Sequence, residues 1–262
     1  MLNIGIRAAR AAGNVIARKI DRIDSVKIDR KQRSDFVTEV DREAEGEIIA
    51  ILKKAYPDHS VLGEESGQLG DATSEYRWII DPLDGTSNFI HGVPHMCVSI
   101  ALEHKGRLDQ AVIYDPLRQE LFTASRGEGA WLDNKRLRVS KNTALDATLL
   151  GHNHPYREGV DLALHLNYLR HVTESAGAIR RTGSAALDLA YLAAGRMDGV
   201  WAFGMQAWDL AAGALMVREA GGLINDVDGR DNWMESGSII AGNPKIQDLL
   251  LRGYRDVKKA QG

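Results

Sequence analysis

Trp78-Ile79-Ile80-Asp81-Pro82-Leu83-Asp84-Gly85-Thr86-Ser87-Asn88-Phe89 is the stretch on which the reading of this chain turns. An apolar run ends in Asp81, Pro82 withholds a backbone donor and is expected to stop the strand, and Asp84 follows. Gly85-Thr86 then opens a helix. Such a transition brings two carboxylates and a set of backbone N–H groups to one point. Carboxylates hold hard divalent cations, and N–H groups at a helix start hold phosphate. By itself the pair reads more readily as a strand-end acid followed by an Asp in a proline-containing turn.

Two further stretches shift that balance. Gly63-Glu64-Glu65-Ser66-Gly67 follows the short apolar run Ser60-Val61-Leu62, and Trp208-Asp209-Leu210-Ala211-Ala212-Gly213 puts an acid in the first turn of a helical segment. If Glu64, Asp81, Asp84 and Asp209 converge, they repel one another strongly in a dry site and require cations. Oxygen-only ligands and the lack of a Cys/His set point to two or more Mg²⁺ and away from zinc. Two such ions suit in-line displacement at phosphorus. The Thr86 hydroxyl is then placed to position a water, and the Gly85 and Thr86 N–H groups to bind phosphate. Without convergence, each acid keeps a structural explanation of its own.

Outward from these stretches, leucines, isoleucines and small residues at Leu2, Ile6, Ala9, Gly13, Ile16 and Ile20 mark an amphipathic helix. Residues 25–34 are polar and basic and read as an exposed loop; the alternative is a mobile loop carrying positive charge over the acids. A second helix is expected over 38–56, with Thr38 as N-cap, Asp41 in its first turn and Pro57 ending it. Asp41 there also has a purely local role beside the helix dipole. Strand-like runs over 96–104, 110–114, 120–124 and 129–132 with short breaks predict an antiparallel sheet. After a break at 141–146 strands and helices alternate: strands over 147–151, 199–203, 222–226 and 238–241, helices over 159–172, 184–194 and 208–220, and a terminal helix opened by Pro244. This divides the chain into halves, 1–143 with Glu64, Asp81 and Asp84, and 144–262 with Arg180 to Ala185 and Asp209, forming one catalytic unit.

The 262 residues suffice for a large core, and the net charge of −3 gives no nucleic-acid or membrane signal. The single cysteine, Cys97, excludes an internal disulfide framework, fits a reducing compartment and reads as a buried strand residue. No window reaches membrane-spanning length and no signal-peptide pattern opens the chain, so a cytoplasmic protein is expected. Trp78, Trp201, Trp208 and Phe89 read as packing residues. His152 and His154 stand either exposed or at a substrate mouth, and His91 and His95 have no clear catalytic partner.

The three acidic stretches, in this order, resemble the three signatures of the inositol monophosphatase family. Asp35-Phe36-Val37-Thr38 with Asp41 resembles the segment preceding them, and Arg180-Arg181-Thr182-Gly183-Ser184-Ala185-Ala186-Leu187-Asp188 resembles its bacterial SuhB-type branch. The resemblance runs nearly the whole chain, to about Asn243-Pro244. It implies a layered α/β fold, the alternating α/β/α/β/α sandwich of inositol monophosphatases and sugar phosphatases, and a lithium-sensitive, Mg²⁺-dependent phosphomonoesterase. It implies that Glu64, Asp81 and the Leu83 carbonyl hold one metal, and Asp81, Asp84 and Asp209 a second. Glu64 with Thr86 activates the attacking water without a phosphoenzyme, and Asp41 supports Thr86. Leu83, Asp84, Gly85 and Thr86 cradle phosphate; Arg180, Gly183, Ser184, Ala185 and Asp209 face the substrate; Lys31, or Arg30, is the mobile-loop base. It further implies a homodimer and a small phosphate ester as substrate, inositol monophosphate first. For the SuhB-type branch it also implies RNA polymerase and elongation factors as partners. Other substrates in the superfamily are 3′-phosphoadenosine, fructose bisphosphate and histidinol phosphate. The sequence departs from the family at Ala202, where a glutamate that bonds inositol hydroxyls is usual.

Overall fold

Alanines and branched aliphatics on one side of α1 (Leu2–Ile20) and of α2 (Glu39–Ala55) let the two helices lie close together over a sheet. Between them the chain forms an antiparallel hairpin, β1 (Ile28–Gln32) and β2 (Asp35–Thr38), where the sequence suggested a loop. The computed structural model describes residues 1–23, 26–32, 35–153 and 161–261, without the side chains of 30–32, 35 and 36. The side chains of Lys31 and Arg30, and all of His154, therefore lie outside the described residues.

The first large sheet is built from β3 (Ser60–Gly63), β4 (Gly67–Leu69), β5 (Tyr76–Asp84), β6 (Cys97–His104), β7 (Arg107–Asp115), β8 (Glu120–Ser125), β9 (Gly129–Leu132) and β10 (Lys135–Arg136). Its spatial order is β10-β9-β8-β7-β6-β5-β3-β4, antiparallel throughout except where β3 lies parallel to β5. The short helix α3 (Thr86–Ile90) connects β5 to β6. The four strands expected over 96–132 are present and antiparallel. Three-residue β4 and two-residue β10 are too short to leave a periodic signal.

The second sheet begins with β11 (Leu149–Asn153), followed by α4 (Leu162–Thr173), β12 (Ala178–Arg180), α5 (Ala185–Ala193), β13 (Gly199–Ala202) and α6 (Ala207–Glu219). It ends with β14 (Leu223–Asn225), α7 (Trp233–Ser236), β15 (Ile239–Gly242) and α8 (Pro244–Gln261). The order is β12-β11-β13-β15-β14, parallel around β11 and antiparallel at β15.

Three cores fix the layers. One joins α1 and α2 to the outer face of the first sheet. A central core puts α5 and α6 between the two sheets, so Ile79 and Ile113 of one sheet share it with Val200 and Ile239 of the other. A third packs Leu150, Trp201 and Ile240 against α4 and α8. Each fully buried large apolar side chain here contributes about 1.5–3 kcal/mol. The result is the expected five-layer α/β/α/β/α sandwich. Among the described residues no helix is long and apolar enough to cross a membrane.

Two local findings bear on the site. β5 does not stop at Pro82: it continues to Asp84, because its register against β6 shifts between Asp81 and Asp84 and the proline needs no partner there. At its other end, a column of rings seals the strand. Tyr56, His59, Tyr76 and His104 stack with centroids 4.6, 4.6 and 4.3 Å apart, and Trp78 Nε1 donates to His59 Nδ1 at 3.1 Å.

Candidate active site

The acids are gathered by the end of β5. Because Gly63 of β3 lies opposite Ile80, Glu64 leaves β3 beside Asp81, and its amide donates to the Ile80 carbonyl at 3.2 Å. The Asp81 carboxylate is buried and accepts from the Leu83 amide at 2.9 Å, so that amide is already engaged. Gly85 follows at φ 106°, a left-handed conformation, with the His95 carbonyl only 3.0 Å from where a Cβ would stand. Only glycine turns the chain here. Helix α3 then starts at Thr86, whose Oγ1 is 3.0 Å from Asp41 Oδ1 and 3.1 Å from the Leu83 carbonyl.

Asp41 belongs to the first turn of α2, as expected, and does two jobs there. Its Oδ2 accepts from the Thr38 amide at 2.8 Å and from the Thr38 hydroxyl at 2.6 Å, closing a capping box. Its Oδ1 reaches Thr86. Burial raises its pKa above the usual carboxylate range, against the lowering effect of those hydrogen bonds.

The second half contributes through two helix starts. Asp84 Oδ2 accepts from Ser184 Oγ and from the Ala186 amide, both at 2.7 Å, with Cys97 Sγ 3.9 Å away. Asp209 is buried in the first turn of α6, where its Oδ2 accepts from the Gln206 amide at 2.7 Å. Gly183 packs against the Asn88 amide, and Asn88 Nδ2 donates to the Thr182 carbonyl at 2.8 Å and the His95 carbonyl at 2.6 Å. Asp188, wholly buried on α5, accepts from Thr182 Oγ1 and Asn153 Nδ2, both at 2.7 Å, and lies 3.8 Å from His95 Nε2. Asn88 and Asp188 thus tie down the 182–184 turn; the sequence reading assigned them no role. An acid four residues after Ser184 in an otherwise apolar helix was the available signal.

The remaining residues are placed as follows. Ala185 is the buried first residue of α5. Arg180 is exposed at the end of β12, its Nη1 turned onto the Ile179 carbonyl at 3.0 Å. Ala202 is sealed in the central core. His152 is not exposed: it is buried and stacks on Trp201 with centroids 5.2 Å apart.

The electrostatics of the cluster are unfavourable as long as the acids stand alone. Burial, and then the charges of Glu64, Asp84 and Asp209, drive the Asp81 pKa far above the usual carboxylate range. Burial and the Asp209 charge raise Asp84 to about 7, although Ser184 and Ala186 donate to it. Among the described residues no three His, Cys, Asp or Glu side chains are already drawn together as a metal-holding group. The donor set nevertheless fits a hard divalent cation in ligand type and in the charge it would relieve.

The model of the inositol monophosphatase family matches residues 1–259. The Nus factor SuhB of Pseudomonas aeruginosa is 53% identical over 255 residues, covering 96% of this chain and 94% of that protein. The crystal structure of the extragenic suppressor protein suhB of Bartonella henselae superimposes with a TM-score of 0.93 at 43% identity, covering 96% of this chain and 97% of that one. The inositol monophosphatase of Anabaena superimposes with a TM-score of 0.85 at 36% identity over 97% and 95% of the two chains.

Proposed function

This chain belongs to the inositol monophosphatase family, and from that premise we propose that it is a Mg²⁺-dependent phosphatase of small phosphate monoesters. The observation that carries this reading is the mutual destabilisation of Glu64, Asp81, Asp84 and Asp209 at the end of β5. In this proposal Glu64, Asp81 and the Leu83 carbonyl hold one Mg²⁺, and Asp81, Asp84 and Asp209 a second. Bound there, the ions neutralise the acids and polarise the phosphate oxygens.

The protein's own groups do the rest. Glu64 accepts the proton of the attacking water. The Thr86 hydroxyl donates to Asp41, which leaves its lone pairs to fix that water in line with phosphorus. Backbone N–H groups of Gly85 and Thr86 bind the phosphate, the water oxygen bonds to phosphorus as the P–O bond to the alcohol breaks, and the departing alkoxide takes up a proton from solvent water, equivalent to the one Glu64 accepts. Gly183, Ser184 and Ala185 border the substrate. Arg180 must swing away from Ile179 to join them, and Lys31 supplies the mobile base.

The leading substrate is inositol monophosphate. Ala202 accepts no hydrogen bond from a ring hydroxyl, so discrimination among alcohols is weak. Phosphate release from a panel of inositol 1-phosphate, glycerol 2-phosphate and a nucleoside monophosphate tests both points. Release is expected to need Mg²⁺ and to be suppressed by Li⁺. The kcat/KM for inositol 1-phosphate is expected within about 10-fold of the others. No turnover on any member rejects the enzyme, and a far larger preference rejects the role given to Ala202.

A second reading is favoured by the 53% identity to a protein named Nus factor SuhB. It makes the chain a cytoplasmic partner of the bacterial transcription elongation machinery, acting through its surface, as a homodimer. The two readings separate in Asp84→Asn, which is expected to lose hydrolysis and keep partner binding.

A further inference from the structure

Helix α2 carries a second buried acid, Glu45, one helical turn after Asp41. Its Oε1 accepts from the Glu65 amide at 3.0 Å, and Ser66 lies close enough to offset part of the pKa rise that burial imposes on it. The carboxylate thus sits inside the turn that follows β3. Gly63 is the reason it can: a Cβ there would stand 2.2 Å from Glu45 Oε1 and 2.7 Å from Ser66 Oγ. The turn is also fixed by the Glu64 amide, which donates to the Ile80 carbonyl at 3.2 Å, and by the pairing of Gly63 with Gly67 of β4; Glu64 is its first residue.

Asp41 holds Thr86, and Glu45 holds the turn that presents Glu64. Side chains four residues apart lie on one face of a helix, about 6 Å from each other. We propose that Glu45 is a positioning residue for hydrolysis, and that α2 acts as a rigid jig fixing Thr86 and Glu64 relative to one another. The proposal rests on the reading of Glu64 and Thr86 as the pair that handles the attacking water. Helix α2 suits the task because Val40, Ala44, Ile48 and Leu52 are wholly buried against the first sheet and α1, so it does not shift as a loop would. A neutral side chain at 45 keeps the helix but offers a weaker acceptor to the Glu65 amide.

The test compares the full-length protein with Glu45→Gln and Glu45→Ala. Amide hydrogen exchange over residues 63–67 reads the tether, and steady-state hydrolysis reads its effect. Glu45→Ala is expected to speed exchange in that segment and to lower kcat about 10–100-fold with KM within about twofold, as for supports of metal ligands. Glu45→Gln, which keeps one acceptor for the Glu65 amide, is expected between it and the wild type. Unchanged exchange in Glu45→Ala overturns the proposal whatever the activity does. Faster exchange with unchanged kcat overturns it as well, since the turn would then be held without being set for chemistry. Should the wild type hydrolyse no phosphate ester, the phosphatase reading and the positioning role fall together, while the exchange data still report the tether separately. A loss of KM alone, without kcat, also overturns the positioning role.

Discussion

Strand β5 has two contrasting ends. At its start Tyr76 stacks between the imidazoles of His59 and His104, and the Trp78 indole donates to His59, so polar atoms find partners within the fold. At its finish Asp81 and Asp84 face Glu64 and Asp209, and their hydrogen bonds do not offset the shared negative charge. One strand therefore joins a region whose polar atoms are partnered within the fold to a region whose charges remain in mutual repulsion. On the proposed reading, stability and function occupy opposite ends of the same nine residues.

The largest effect that can sharpen this contrast is expected from Asp84→Asn. Hydrolysis should fall on the order of 10³-fold, as when a preorganised electrostatic group is lost. The melting temperature of the metal-free protein should rise, because a buried charge is removed from a repelling set. A lower melting temperature would break the contrast. At the other end, His59→Ala should cost about 1–3 kcal/mol by stranding the Trp78 N–H, with kcat/KM unaltered. Urea denaturation with parallel kinetics checks both halves of that expectation.

The two ends also respond to pH with opposite signs. Asp84 has a folded pKa of about 7, above its unfolded value, so below pH 7 the folded state binds a proton that the unfolded chain does not. Metal-free stability should increase from pH 8 to pH 6 by at most about 1.4 kcal/mol per pH unit from this group. His59 has its pKa lowered by burial and by Lys53, so its contribution is present above pH 6.5 and is lost as the pH falls below it. Urea midpoints at pH 8, 7 and 6 should rise toward acid in the wild type and rise less steeply in Asp84→Asn, where Asp81, its pKa also raised by burial, keeps part of the effect. Saturating Mg²⁺ should remove the rise. The smallest effect, ~0.5–1.5 kcal/mol, is expected for Trp78→Phe, which deletes one donor and leaves the stack.

The acids could be found in the sequence because each sits at a punctuated boundary. Asp41 follows a capping threonine, Glu64 and Asp81 end apolar runs, Asp84 precedes Gly85, and Asp209 opens a helix. Their supports could not be found that way. Glu45 lies in mid-helix beside the apolar stripe, and only its spacing from Asp41 marks it. The continuation of β5 through Pro82 depends on a register shift against β6, which local sequence does not encode. The β1–β2 hairpin was hidden for a similar reason: a basic, polar composition suits a two-stranded edge as well as a loop. Arg180 was placed with the substrate by motif alone, whereas its rotamer here follows from the nearest carbonyl.

The hydrogen bond from the Ala186 amide to Asp84 spans 102 residues of chain. During synthesis that interval occupies the ribosome for roughly 5–20 s. Throughout it, the nascent chain carries Asp81 and Asp84 without the helices that complete their surroundings. On the proposed reading, a product terminated before Ala186 should show no phosphatase activity, and its appearance in a translation reaction should follow the closing of the last layers.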